Sequence, residues 1–246
     1  MKRPIAECVY PEIQSDGYSR VDGTVRFYQR VATLLDGATV VLDVGCGRGL
    51  RDEDPCEYRR QLQNLRLDGR RVIGIDVDAA GKDNPLINEF RLIEDIKHWP
   101  VDDASVNVVV ADYVLEHVDD PVSFFREVAR VIRPGGCFCA RTPNAYGYVV
   151  WISRLIPNRM HAKVTGYAQA DRAEADVFPT VYRCNTQSTL KRLLAEHGFD
   201  CDIDRIEGEP SYMAFSRIAY RVFAVIHRLL PPPLRSTLLV YARKTD

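Results

Sequence analysis

Val40-Val41-Leu42-Asp43-Val44 runs directly into Gly45-Cys46-Gly47-Arg48-Gly49, and this junction constrains the fold more than any other feature of the chain. A short apolar run bounded by a turn signal reads as a strand buried on both faces. Glycines at alternate positions let the backbone turn sharply and approach a ligand without Cβ interference. The flanks fit the same scheme. Apolar residues recur at helical spacing from Gly23 to Leu35, and Asp36-Gly37 breaks the pattern before the strand. Beyond the turn, Asp54-Pro55 offers an N-cap and a first-turn proline for a helix to about Leu67. Asp68-Gly69 ends it, and Arg71 to Asp76 is a second strand. The result is one βαβ unit.

The rhythm continues with β-branched runs at Phe90 to Ile93, Val106 to Ala111 and Gly136 to Arg141. Between the last two a helix is predicted, with Asp120 as cap, Pro121 at its first position, a stripe of Phe124, Phe125, Val128 and Ile132, and a stop at Pro134-Gly135-Gly136. Alternating strands and helices predict a doubly wound, mostly parallel α/β sheet covered on both faces. After Pro143 the rhythm fails, and the aromatic stretch from Asn144 to Val181 reads as an insertion within one domain spanning 1–246. Aromatic content of this kind argues against disorder, and long irregular stretches in compact domains are commonly functional, so a lid over a binding site is expected here. A helix from about Ser188 to His197, a strand from Cys201 to Ile206, an apolar helix from Tyr212 to Leu230 and a final strand from Ser236 to Ala242 complete the chain.

Composition narrows the function classes. Apolar residues make up 46% and charged residues 27%, as in ordinary globular proteins, and the net charge of -1 gives no global field for nucleic acid. No nucleic-acid partner is expected. The seven cysteines are scattered without a CxxC pair, which predicts neither a disulfide framework nor a zinc site. Cys137 and Cys139 fall on one strand face and read as packed thiols. With no apolar run of signal or membrane-spanning length, a cytoplasmic location is expected.

The glycine spacing is GxGxG, whereas the dinucleotide fingerprint would place glycine or alanine where Leu50 stands. Asp52, Glu53 and Asp54 follow, and three acids repel a diphosphate while suiting a cationic sulfonium. Asp43 is placed to receive an ammonium group beside the turn. Asp76 ends the second strand, where a carboxylate accepts both hydroxyls of an adenosine ribose; the plainer reading is a strand-end cap. Asp95, with Ile96, follows the third strand and is placed to accept from an adenine amino group.

Taken in order, these segments resemble the class I S-adenosylmethionine-dependent methyltransferases, in the small-molecule group that includes ubiquinone-biosynthesis and sugar methyltransferases. Val40 to Gly49 is similar to the family's first motif, Gly74-Ile75-Asp76-Val77-Asp78 to its second, and Val108 to Val118 to its fourth-strand motif. Val131 to Gly136 is similar to the segment leading into the fifth strand. The resemblance implies a seven-stranded Rossmann-like sheet with an antiparallel last strand and S-adenosyl-L-methionine as cofactor. It implies cofactor contacts at Asp43, Gly45, Cys46, Gly47, Gly49, Asp76, Val77, Asp95, Ile96, Ala111 and Asp112. The acceptor it implies is a small molecule or glycan, methylated at oxygen.

His117 has two readings. A neutral imidazole near the transferred methyl takes a proton from an acceptor hydroxyl; alternatively the ring packs the helix start after the fourth strand. Arg217, Arg221 and Arg228 share one stripe of the apolar C-terminal helix, which suits either an anionic membrane or lipid-linked substrate, or a sheet-covering helix with a solvated arginine face. Two rivals stay open: an NAD-dependent oxidoreductase sharing the first βαβ unit, and an inactive cofactor-binding fold serving as a partner subunit.

Overall fold

The computed structural model describes residues 4–49, 54–148, 150 and 179–245. The larger part of the aromatic stretch, residues 151–178, and residues 50–53 after the glycine turn lie outside the described residues. Seven strands form one sheet: β1 (Val40–Val44), β2 (Arg71–Asp76), β3 (Glu89–Leu92), β4 (Val106–Asp112), β5 (Ile132–Pro143), β6 (Phe199–Ile206) and β7 (Thr237–Lys244). Their order is β3-β2-β1-β4-β5-β7-β6, and only β7 runs antiparallel to its neighbours. Chain order reverses beside β1, which pairs in parallel with both β2 and β4. That reversal opens a crevice at the carboxyl ends of β1, β2 and β4.

The strands alternate their side chains between two cores. Helix α3 (Gly23–Leu34), after the short helices α1 (Ile5–Val9) and α2 (Ile13–Asp16), puts Phe27, Tyr28 and Val31 against Val41, Val72, Val108 and Val110. On the other face α5 (Pro121–Val131) and α6 (Gln187–Glu196) bury Phe125, Val128 and Leu190 against Leu42, Ile73 and Val109. Between α3 and β2 lies α4 (Glu57–Gln63), and α7 (Arg217–Leu229) connects β6 to β7. Cys137 and Cys139 sit in the first of these cores as packed thiols, and burial pushes both thiol pKa values up.

Several boundaries differ from expectation for local reasons. Asp120 caps α5 through the Ser123 amide as predicted, but β5 begins at Ile132, directly after the helix. Its pairing with β4 is irregular between Val106 and Val108, so Pro134-Gly135-Gly136 sits within the strand's first part and does not end the helix. Helix α4 is shorter than predicted because Asp54 accepts from the Cys56 amide and grips Arg59 instead of capping. Helix α7 starts at Arg217 with Ser216 as cap, and a 3-10 turn at Ser211–Met213 takes up the residues expected to be helical. No helix among the described residues is long and apolar enough to cross a membrane.

One brace fixes the loop between β3 and β4. Arg130 donates to Glu127, to the Trp99 and Val101 carbonyls and to Asp103, while Glu127 accepts from the Trp99 amide at 2.7 Å. Burial raises the Glu127 pKa, but the Arg130 and amide hydrogen bonds outweigh it and hold the carboxyl below its ordinary range. A carboxyl depressed on folding stabilises the protein above its unfolded pKa, and this contribution is lost as pH falls through the folded value. Glu127→Gln is therefore expected to flatten the acid limb of stability measured by urea midpoints across pH. An unchanged slope would assign that limb to other carboxyls.

Candidate active site

The turn after β1 is fixed from beneath. The Gly45 amide donates to the Ile75 carbonyl at 2.8 Å, and buried Asn84 donates from Nδ2 to the Cys46 carbonyl at 2.8 Å. Gly45 and Gly49 have φ of +67° and +66°, and a Cβ would lie 2.6 Å from Val114 Cγ2 at the first and 2.1 Å from Asn84 Oδ1 at the second. Both positions need glycine for conformation and for space.

Asp76 ends β2 against this turn and is 8% exposed. Its Oδ2 accepts from the Gly47 amide and its Oδ1 from the Asp78 amide, each at 2.9 Å. The carboxylate is thereby oriented by two amides, and each oxygen retains a second lone pair for a ligand hydroxyl. Around it lies a cleft of about 890 Å³, large enough for a nucleoside-sized ligand. The cleft brings together Gly45, Cys46, Gly47, Gly49, Asp76, Val77, Ile96, Asp112 and His117 from the sequence-based set. It does not bring in Asp43, buried in β1 between Gly74 and Val110, or Ala111, buried in β4. Asp95 is exposed, and its Oδ1 closes a turn by accepting from the Lys97 amide.

His117 ends a 3-10 turn, Leu115–His117, beyond β4, and its Nδ1 lies 2.9 Å from the Pro179 carbonyl. A carbonyl only accepts, so Nδ1 carries the proton and Nε2 is the basic nitrogen. The same turn holds the returning chain: the Val181 and Tyr182 amides donate to the Glu116 carbonyl. Ala145, at the start of the aromatic stretch, donates to the Asn185 carbonyl at 2.7 Å, so the two ends of that stretch meet beside the turn.

Residues that brace the cleft wall from behind, and two on the wall itself, Tyr113 and Arg59, escaped the sequence reading. Arg141 in β5 donates from Nε and Nη2 to the two oxygens of Asp112 at 2.7 and 2.8 Å, and Tyr28 donates to Asp112 at 3.0 Å. Its guanidinium lies 4.7 Å from the Tyr113 ring centroid. Tyr113 has φ +58°, a left-handed conformation that costs a non-glycine residue on the order of 1–3 kcal/mol, and its amide is held by the Arg141 carbonyl at 2.8 Å. Across the cleft Arg59 is clamped by Asp54 and Asp22. Burial raises the Asp54 pKa, but the Arg59 and Cys56 hydrogen bonds outweigh it and hold the carboxyl below its usual range. The visible signal was a charged residue inside the apolar run of β5; its partner was not visible. Among the described residues six aspartates, Asp54, Asp76, Asp78, Asp112, Asp119 and Asp120, line the cleft against Arg48 and Arg59. This balance suits a cationic ligand better than a diphosphate.

A doubly wound sheet with a glycine turn and a buried strand-end carboxylate at its switch point defines a nucleotide-cofactor fold of the class I methyltransferase type. A family profile described as a methyltransferase domain matches residues 19–202, and the chain belongs to that family of S-adenosylmethionine-dependent methyltransferases. It is 40% identical over 122 residues to a protein of Mycolicibacterium smegmatis named as a probable S-adenosylmethionine-dependent methyltransferase, covering 48% of this chain and 42% of that one. It is 31% identical over 140 residues to the ubiquinone biosynthesis O-methyltransferase of Xanthomonas oryzae, covering 53% and 58%. The chain spans about half the length of the curated relatives it matches. Among solved structures, a SAM-dependent methyltransferase from Archaeoglobus fulgidus aligns over 96% of this chain and 100% of its own, at a TM-score of 0.58 and 17% identity. The [4+2]-cyclase SpnF aligns over 98% of this chain and 94% of its own, with a TM-score of 0.56 and 19% identity. These likenesses concern the fold, and one fold carries more than one chemistry.

Proposed function

We propose that this protein transfers a methyl group from S-adenosylmethionine to an oxygen of a small-molecule or glycan acceptor. The observation that carries the proposal is that Asp76 and His117 face one acidic cleft from the ends of β2 and β4. The match to an O-methyltransferase of ubiquinone biosynthesis supports oxygen as the acceptor atom. S-adenosylmethionine, when bound, supplies a methyl group already activated on a sulfonium. The protein's own residues then hold and orient. Asp76, fixed by the Gly47 and Asp78 amides, accepts from the ribose hydroxyls, and the Gly45 to Gly49 turn lies against the cofactor without side-chain obstruction. Val77 and Ile96, both exposed on the cleft wall, give the adenine an apolar seat. His117 takes the acceptor's hydroxyl proton on Nε2 while Nδ1 stays bonded to Pro179. The acceptor enters beside Pro179 and Val181, which line the cleft where the stretch that begins at Asn144 returns.

Calorimetric titration with S-adenosylmethionine and its demethylated product, beside NAD, tests the cofactor. Transfer of labelled methyl to fractionated cell extract tests the acceptor class. Asp76→Ala is expected to weaken cofactor binding by ~1.5–3 kcal/mol, because two hydroxyls lose a charged acceptor. Asp76→Asn keeps the size of the group and separates lost charge from a displaced turn. Unchanged affinity in both folded variants would leave Asp76 as a brace for the glycine turn alone.

A further inference from the structure

The connection between β6 and β7 leaves the sheet at the carboxyl end of β6, the edge at which the cleft opens. It carries α7, which buries only Tyr220, Ala224 and His227. His227 is fixed there by the Gly208 carbonyl at Nδ1 and by the Tyr148 hydroxyl at Nε2. The outward face is not the solvated arginine surface of the plainer sequence reading. It is apolar: Ile218 is 78% exposed and Leu229 77%, with Val222 and Val225 between them at helical spacing and Phe215, 73% exposed, just ahead of the helix. Arg217, Arg221 and Arg228 run along one margin of this stripe, and all three are exposed. From Ser211 to Arg235 the sequence contains no aspartate or glutamate. The nearest acids before it turn inward, Glu207 to Ser236 and Glu209 to the Tyr220 hydroxyl.

We propose that α7 docks this edge of the protein on an anionic lipid bilayer, with the apolar stripe lying at the level of the acyl chains and the arginine margin among the phosphates. An apolar face bordered by basic residues matches a surface that offers hydrocarbon and negative charge together. The arginine stems lie along the apolar boundary while their guanidinium groups reach the headgroups. A second copy presents the same acid-free helix and supplies no counter-charge. The stretch that leaves Tyr148 beside α7 supplies none at its near end, since it carries Arg154, Arg159 and Lys163 before its first acid, Asp171. The docking is independent of methyl transfer.

Flotation of the full chain with vesicles of phosphatidylcholine alone, or of phosphatidylcholine mixed with phosphatidylglycerol, tests it. At low salt at least about tenfold more protein is expected on the anionic vesicles, and added salt should release it. Ile218→Ser combined with Leu229→Ser is expected to abolish flotation, and Arg221→Glu with Arg228→Glu to abolish the preference for anionic lipid. Both variants should unfold cooperatively at the wild-type temperature, because every substituted side chain is exposed. Equal flotation on the two vesicle types overturns the proposal. So does a wild-type dimer in sedimentation velocity that the Ile218/Leu229 variant converts to monomer, which would make the stripe an interface between copies.

Discussion

Replacing His117 with alanine is expected to lower turnover by ~10²–10⁴-fold while leaving cofactor affinity within about twofold, the pattern of a lost general base. The expectation follows from the ring's hydrogen bond. The Pro179 carbonyl fixes the proton on Nδ1, so the nitrogen that remains basic is Nε2 on a ring that lines the cleft. Stopped-time assays with a hydroxyl acceptor, beside calorimetric titration of the cofactor, read both quantities. A loss below tenfold would make His117 a packing residue, with alignment of acceptor and methyl carrying the rate.

A second large effect is expected in stability. Arg141→Met should destabilise the protein by about 3–5 kcal/mol, because it leaves Asp112 half-buried without its guanidinium partner. The loss should be smaller in the double variant Arg141→Met/Asp112→Asn, since no charge is then stranded. Tyr113 is the coupled reporter: its ring lies over the guanidinium and its amide is held by the Arg141 carbonyl, so its strained conformation depends on this residue. Urea denaturation of the single and double variants measures the cycle. A single-variant loss below about 1 kcal/mol would mean that solvent replaces the guanidinium at little cost.

How much of this was legible follows from the range of each interaction. The central strands and α5 were readable because their signals are local: a β-branched run, a cap at Asp120, a proline at Pro121. Asp76 was readable as the end of the second strand because the apolar run stops there. Its bond to the Gly47 amide was not, since it joins two loops brought together only by sheet order. Asp54 was misread as a cap because Asp-Pro announces a helix locally, whereas the Arg59 guanidinium that holds it also reaches Asp22, the cap of α3. Helices α1 and α2, of five and four residues, are too short to show a period. The face of α7 was half legible. The arginine stripe could be counted from sequence, but which of the two remaining faces turns inward depended on His227 finding Gly208 and Tyr148.

The bond between the Ala145 amide and the Asn185 carbonyl has a consequence for how such a protein diversifies. Because the two ends of the intervening stretch are tied to each other at the rim of the site, the sheet is indifferent to what is strung between them. Doubling the length of a tied loop costs only about 0.6 kcal/mol in closure entropy. The stretch is therefore free to vary in length and sequence at little cost to the sheet, while β1, β2 and the glycine turn keep the geometry of the opposite side of the cleft.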